Sequence, residues 1–342
     1  MACTKPLVRV VFKNIQVKNK NGKINQKAKI FPNSYYENLY EKYKDNENVE
    51  IMKIPCGKCI SCRLNKAKEW ATRIELESKE YKSNWFLTLT YNDENLPKDG
   101  NLKKEHLQKF LKDIRSYYKY HYNKDNIRFF GCGEYGSEEN TKRPHYHVIM
   151  LNLDIDINDL EFYKLDKLKE PLYKCKKLEK IWGKGYVIAG AVTWQSASYV
   201  ARYTTKKIGK DKTYYEKNNI TPEFVTMSRR PGIGLNYYKE NKEKIYKYDE
   251  IVCKSHSGNI ASRKVPRYYN KKFEEEHPKE YEEIRKKRIE KSKLMDENQK
   301  KNTDYSTKEM LDINDRTIER KTSSLKRDWQ KLETPLEKKS QW

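Results

Sequence analysis

Two histidines separated by one residue, His145 and His147, stand at the head of the run Arg143-Pro144-His145-Tyr146-His147-Val148-Ile149-Met150-Leu151. The β-branched and apolar residues that follow predict a strand. Side chains alternate faces along a strand, so both imidazoles point the same way, with Ile149 and Leu151 behind them. Imidazoles so placed can share one divalent metal ion. Taken alone, the pair fits two polar residues of an ordinary strand better. A carboxylate changes that balance. Asn126 to Gly136 predicts a second strand running into a polar loop, Ser137 to Lys142, and a loop of that length suits an antiparallel hairpin. The hairpin brings Glu134 beside the histidines as a hard oxygen ligand. Two nitrogens and one oxygen leave coordination positions open, as a catalytic metal requires. The competing assignment for Glu134 is an ion pair with Arg143 at the hairpin mouth.

A second pair is phenolic. In Ser196-Ala197-Ser198-Tyr199-Val200-Ala201-Arg202-Tyr203-Thr204-Thr205-Lys206-Lys207, Tyr199 and Tyr203 are four residues apart, a turn apart on one helix face. Such pairs commonly pack in cores, but the small residues before this one and the basic residues after it suit a nucleic-acid groove. A phenol, with a reference pKa of about 10, is a poor nucleophile at neutral pH; a metal that polarises a phosphate removes much of that difficulty. A third cluster is sulfur. Cys56, Cys59 and Cys62 form C-x-x-C-x-x-C ahead of an amphipathic helix that would bury Leu64, Ala67, Ala71, Ile74, Ser78 and Tyr81. Three thiolates at this spacing can bind a structural Zn²⁺ but lack one ligand, for which Cys3 is the candidate. Reduced thiols, a redox pair or an iron–sulfur cluster on the same four residues are the alternatives.

The elements that must position these groups follow in order. Trp85 to Tyr91 predicts a strand, and Leu107, Phe110, Leu111, Ile114 and Tyr118 mark a helix that covers one sheet face. The hairpin comes next, then a charged, helix-rich insertion over 154–182, then a strand from Gly185 toward Trp194 that leads into the tyrosine helix. That order predicts an α+β fold with a central antiparallel sheet and helices on one face. Beyond Tyr269 the composition turns charged. Phe273 to Asn298 predicts a solvated, ion-pair-laced helix, and the chain from Lys300 onward disorder or short helices. Three regions result: 1–84, an N-terminal segment with the cysteine cluster and amphipathic helix; 85–250, a catalytic domain; and 251–342, a charged, partly disordered C-terminal extension.

Charge points to a polyanionic partner: 73 Lys and Arg against 49 Asp and Glu leave a net +24 over 342 residues. The 27 tyrosines, several interleaved with lysine as in Ser116 to Tyr122, suit base stacking in a charged groove, although an AT-rich genome would give the same pattern. No G-x-x-x-x-G-K-[ST] occurs, so unwinding of a duplex must come from another protein. Arg229-Arg230-Pro231-Gly232 is a turn, either near a nucleic-acid groove or merely on the surface. No apolar run approaches the ~18 residues of a membrane span, and no signal peptide is evident.

Glu134 in Gly-Glu-Tyr-Gly, Arg-Pro-His-Tyr-His and Tyr-Val-Ala-Arg-Tyr closely resemble the replication initiators of small single-stranded DNA phages, the gokushovirus branch of the microviruses, within the HUH endonuclease superfamily. The resemblance extends over residues 1 to about 270. It includes the Cys56–Leu64 segment, Phe86-Leu87-Thr88-Leu89-Thr90-Tyr91, Met227 to Gly234, and Pro266-Arg267-Tyr268-Tyr269. It implies rolling-circle initiation on single-stranded and replicative-form circular phage DNA. Mg²⁺ or Mn²⁺ on Glu134, His145 and His147 would engage the scissile phosphate. Tyr199 or Tyr203 would attack it, leaving a 5′-phosphotyrosine and a 3′-OH primer, and the second tyrosine would allow the displaced strand to be closed into a circle. Lys206 and Lys207 would neutralise the phosphate, or are simply solvated, and Arg143, Arg202, Arg229 and Arg230 would contact DNA. The resemblance also implies that residues 85–250 form the nicking domain, with metal and tyrosines on the sheet's open face. A host helicase and DNA polymerase would be partners, and the bacterial cytoplasm, where thiols stay reduced, the location. A non-catalytic single-stranded nucleic-acid-binding protein, or a plasmid or transposon nickase of the same superfamily, are the other readings.

Overall fold

A computed structural model describes residues 3–18, 22, 24–136, 142–166, 169–202, 212–254 and 260–301, with single positions between 309 and 320. Contacts divide the chain into two units, one built on residues 1–65 and one on residues 66–295.

In the first unit, strands β1 (Leu7–Lys18), β2 (Ile24–Pro32) and β3 (Val49–Ile54) form an antiparallel sheet in the order β2-β1-β3, with helix α1 (Tyr36–Tyr43) between β2 and β3. Helix α2 (Ile60–Ser78) begins in this unit and continues in the second.

The second unit holds β4 (Asn84–Tyr91), α3 (Lys104–Tyr122), β5 (Arg128–Tyr135), β6 (Pro144–Leu151), β7 (Leu160–Leu165), β8 (Pro171–Cys175), α4 (Lys176–Trp182), β9 (Gly185–Ala191), α5 (Trp194–Arg202), α6 (Lys212–Lys217) and β10 (Phe224–Met227). These are followed by α7 (Leu235–Tyr248), the hairpin β11 (Ile251–Lys254) and β12 (Ile260–Arg263), α8 (Arg267–Glu276) and α9 (Pro278–Lys301). Among the described residues, seven strands make one antiparallel sheet in the order β10-β5-β6-β4-β9-β8-β7. The chain is thus α+β with a large antiparallel sheet.

Helices cover both faces of that sheet, not one as the order of elements suggested. Leu87, Leu89, Val148, Met150, Val187 and Ala189 pack against α3 and α4 on one side. The residues of α3 buried there are the five that its periodicity marked. On the other side Phe130, Cys132, Ile149 and Leu151 meet Ala71 and Ile74 of α2 and Ala197 and Val200 of α5. The reason lies in β6: from Tyr146 to Leu151 every residue is buried, so odd and even positions both need apolar cover. The face carrying His145 and His147 is therefore roofed rather than open.

The stretch 154–182 also departs from expectation. It forms the hairpin β7–β8 at one edge of the sheet before the short α4, rather than a helical insertion. Alternation of charge and apolarity in Leu160-Glu161-Phe162-Tyr163-Lys164-Leu165 has the strand period, and charge on an edge strand protects it from further pairing. A third cluster joins Leu76, Tyr238, Ile245 and Tyr246 to Ile251, Cys253, Val265, Tyr269 and Phe273. The chain after 250 thus supplies core to the second unit, and α2 is buried on two sides, through Ile74 and through Leu76. Among the described residues, no helix is long and apolar enough to cross a membrane.

Candidate active site

Strand register sets the site. Glu134 of β5 stands directly opposite His145 of β6, Cys132 opposite His147, and Thr88 of β4 opposite His147 from the other side. Residues paired across strands share a face, so Glu134, His145, His147 and Thr88 converge near the mouth of the β5–β6 hairpin. Glu134 is 1% exposed and His147 6%. The His145 side chain retains 20%, which leaves an approach from solvent.

The histidine Nε2 atoms lie 3.1 Å (His145) and 2.9 Å (His147) from the same oxygen, Oε1 of Glu134. Their Nδ1 atoms are held from behind. His145 Nδ1 is 3.1 Å from the Arg143 carbonyl, which can only accept, so this nitrogen carries the proton and Nε2 is the bare one. His147 Nδ1 lies 3.1 Å from the Thr88 hydroxyl. Phe86 stacks on His147 with ring centroids 5.5 Å apart and fixes the plane of the imidazole.

A bare imidazole nitrogen facing a carboxylate oxygen is a contact between two acceptors, relieved by a shared proton or by a cation between them. The spacing fits a cation: adjacent vertices of an octahedron with bonds of about 2.1 Å lie about 3.0 Å apart. The three ligand atoms lie within 4.8 Å of one another. Two imidazoles and one carboxylate suit several divalent ions, Mg²⁺ and Mn²⁺ among them, and geometry alone does not choose.

Tyr199 on α5 reaches into this group. Its Oη is 3.5 Å from His147 Nε2, and its ring meets those of His147 and Phe86 edge-on, at 5.2 and 6.2 Å between centroids. Small residues make this approach possible: Ala197, Ser198 and Ala201 bring α5 close to the sheet. Other tyrosines are occupied differently. Tyr91 and Tyr146 lie on the opposite face of the sheet, their hydroxyls 2.7 Å apart, with Tyr91 also meeting His106. Burial pushes both phenols upward in pKa. Tyr135 is likewise pushed by burial to about 12.

Other residues singled out in the sequence are scattered. Arg143 points its guanidinium to Asp93, 2.5 Å away, and to the Tyr91 carbonyl. Arg202, at the end of α5, donates to Ser198. Arg229 and Arg230 are exposed on the turn after β10. Tyr203, Lys206 and Lys207 lie outside the described residues. Cys3, Cys56, Cys59 and Cys62 come together in the first unit, their sulfurs within 4.8 Å of one another. Sequence reasoning did not single out Thr88. Its side of the strand follows from alternation, but its place opposite His147 depends on a β4–β6 pairing that no local pattern specifies.

Residues 84–208, from β4 past the tyrosine segment, match the family described as replication-associated protein ORF2. The chain is 38% identical over 290 residues to replication-associated protein ORF2 of Spiroplasma virus 4, covering 82% of this chain and 83% of that protein. It is 32% identical over 252 residues to replication-associated protein VP4 of Bdellovibrio phage phiMH2K, covering 72% and 75%. Replication-associated protein ORF4 of Chlamydia phage 1 is 32% identical over 220 residues, covering 63% and 52%. No solved structure matches the chain. With Glu134, His145, His147 and Tyr199 all inside the matched segment, and similarity that runs well beyond it on both sides, this chain belongs to the family of phage replication-associated proteins.

Proposed function

We propose that this protein initiates rolling-circle replication of a circular phage genome by nicking one strand with a tyrosine. The observation that carries the reading is the Tyr199 hydroxyl beside His147, on the sheet face where His145 and Glu134 complete a three-ligand donor set. A divalent ion held by Glu134, His145 and His147 would polarise the scissile phosphate and offset the charge that builds on it.

The chain's own residues supply the rest. Tyr199 Oη attacks phosphorus; the new P–O bond forms as the bond to the 3′ oxygen breaks. The phenol gives up its proton and the departing 3′-hydroxyl gains one. The strand's 5′ end stays on the protein, and the free 3′-OH primes synthesis by a host polymerase behind a host helicase. Tyr203, four residues on, is the second nucleophile: it cuts the regenerated origin while Tyr199 holds the displaced strand. The released 3′-OH then attacks the first phosphotyrosine and closes a circle. Each exchange keeps one phosphodiester, so no nucleotide triphosphate is consumed. Either tyrosine can take the first step. Lys206, Lys207, Arg143, Arg202, Arg229 and Arg230 serve as contacts to the DNA backbone.

The test incubates the protein with labelled single-stranded origin DNA and Mn²⁺ or Mg²⁺, then separates products on a denaturing gel. The reading predicts a metal-dependent adduct that resists detergent, survives in Tyr199→Phe or Tyr203→Phe alone, and vanishes in the double variant and in His145→Ala. Tight DNA binding without cleavage across the phage origin would replace it with a non-catalytic binding role.

A further inference from the structure

The first unit lacks a core of its own. Among its described residues up to 65, the buried apolar side chains are Val8, Val10 and Val11, all on β1. A three-stranded sheet with so little buried surface needs a cross-link or a bound metal to hold it. The structure places four cysteines where one would act. Leu7 of β1 pairs with Ile54 of β3, so Cys3 and Cys56 lie on extensions of one ladder and meet. Cys3 Sγ is 3.6 Å from Cys56 Sγ and 3.7 Å from Cys59 Sγ.

Those separations discriminate among ligands. A regular tetrahedron with metal–sulfur bonds of about 2.3 Å has edges of about 3.8 Å. A disulfide would bring two sulfurs to about 2.0 Å. A cluster would hold its cysteines further apart, since each binds a different iron. The backbone is arranged for charged sulfur as well. Gly57 adopts φ +73°, a left-handed turn that suits glycine. The turn aims the amides of Lys58 and Cys59 at Cys56 Sγ, 3.4 and 3.2 Å away, and the Cys56 amide points to Cys3 Sγ at 3.3 Å. Amides donated to sulfur stabilise thiolates.

We infer that Cys3, Cys56, Cys59 and Cys62 bind a single structural Zn²⁺ that ties the N-terminal strand to the start of α2. Binding releases the thiol protons and closes a loop of more than fifty residues between Cys3 and Cys56. The site is independent of the histidine–carboxylate group and of the nicking reaction.

The experiment measures metal content of the full-length protein after extensive dialysis, in wild type, Cys3→Ser, Cys59→Ser and His145→Ala. Wild type and His145→Ala should retain one zinc per chain, and the cysteine variants should lose it. Should those variants fail to fold, the wild type decides alone: cobalt replacement should give the intense thiolate charge-transfer bands and visible absorption of a tetrahedral four-sulfur site. Chelation should expose the first sixty residues to protease and spare the second unit. Absence of retained zinc, zinc unchanged in Cys59→Ser, or iron in its place would overturn the assignment.

Discussion

Glu134 is the residue on which the metal reading turns. A carboxylate buried to 1% exposure is expensive to ionise unless it is paired, and its partners are two imidazole nitrogens about 3 Å away. Glu134→Gln keeps the shape and removes the charge; manganese affinity, followed by electron paramagnetic resonance, should fall at least about a hundred-fold, and adduct formation with it. Unchanged affinity would place the ion elsewhere. Thr88 acts through His147: losing the hydroxyl in Thr88→Val should weaken metal binding about ten-fold while leaving the fold intact. At this scale the sequence was generous. The His-x-His spacing, the hairpin and Glu134 are all local, because period-two alternation and a short loop decide them. Thr88, the Arg143 carbonyl and the stacked Phe86 were not legible as supports of the histidines, because their roles depend on register between strands far apart in sequence.

At the scale of elements, the site face is held by contacts that tie α2, β5 and the turn after β10 together. Glu77 of α2 accepts from Arg128 of β5 and from the Gly234 amide, while Arg128 also donates to the Pro231 carbonyl at 2.8 Å. Arg73, one turn earlier, donates to Ile233 O and lies over the rings of Trp70 and Tyr268. The Arg-Arg-Pro-Gly turn is thus anchored by its backbone, with the Arg229 and Arg230 side chains left outward. Removing the buried carboxylate in Glu77→Ala should destabilise the protein by about 3–5 kcal/mol in denaturant unfolding, since it strands Arg128. A change under about 1 kcal/mol would mean that the turn is held otherwise. Helices α2 and α3 were readable from apolar period. The edge hairpin β7–β8 was not, because charge on an edge strand looks like charge on a helix. The second buried side of α2 was hidden too, since Leu76 packs on residues more than 160 positions away.

For the whole molecule, the net charge of +24 sets how DNA is first met. Affinity for non-origin single strands should fall about a thousand-fold or more between roughly 50 and 200 mM salt, in line with six or more phosphates neutralised. Arg229→Ala with Arg230→Ala should lower the salt slope by about 1 to 2 without changing sequence preference. A flat salt response would show that the charge serves something other than DNA. Composition made the polyanionic partner legible, and similarity to phage replication-associated proteins agrees with it. The most direct test of the central claim is to trap the protein–DNA adduct, trim the DNA with nuclease, and sequence the modified peptide by mass spectrometry. A nucleotide joined through its 5′ phosphate to Tyr199 or Tyr203 is the predicted result. A link to any other residue, a 3′ linkage, or cleaved DNA with no covalent peptide would contradict it.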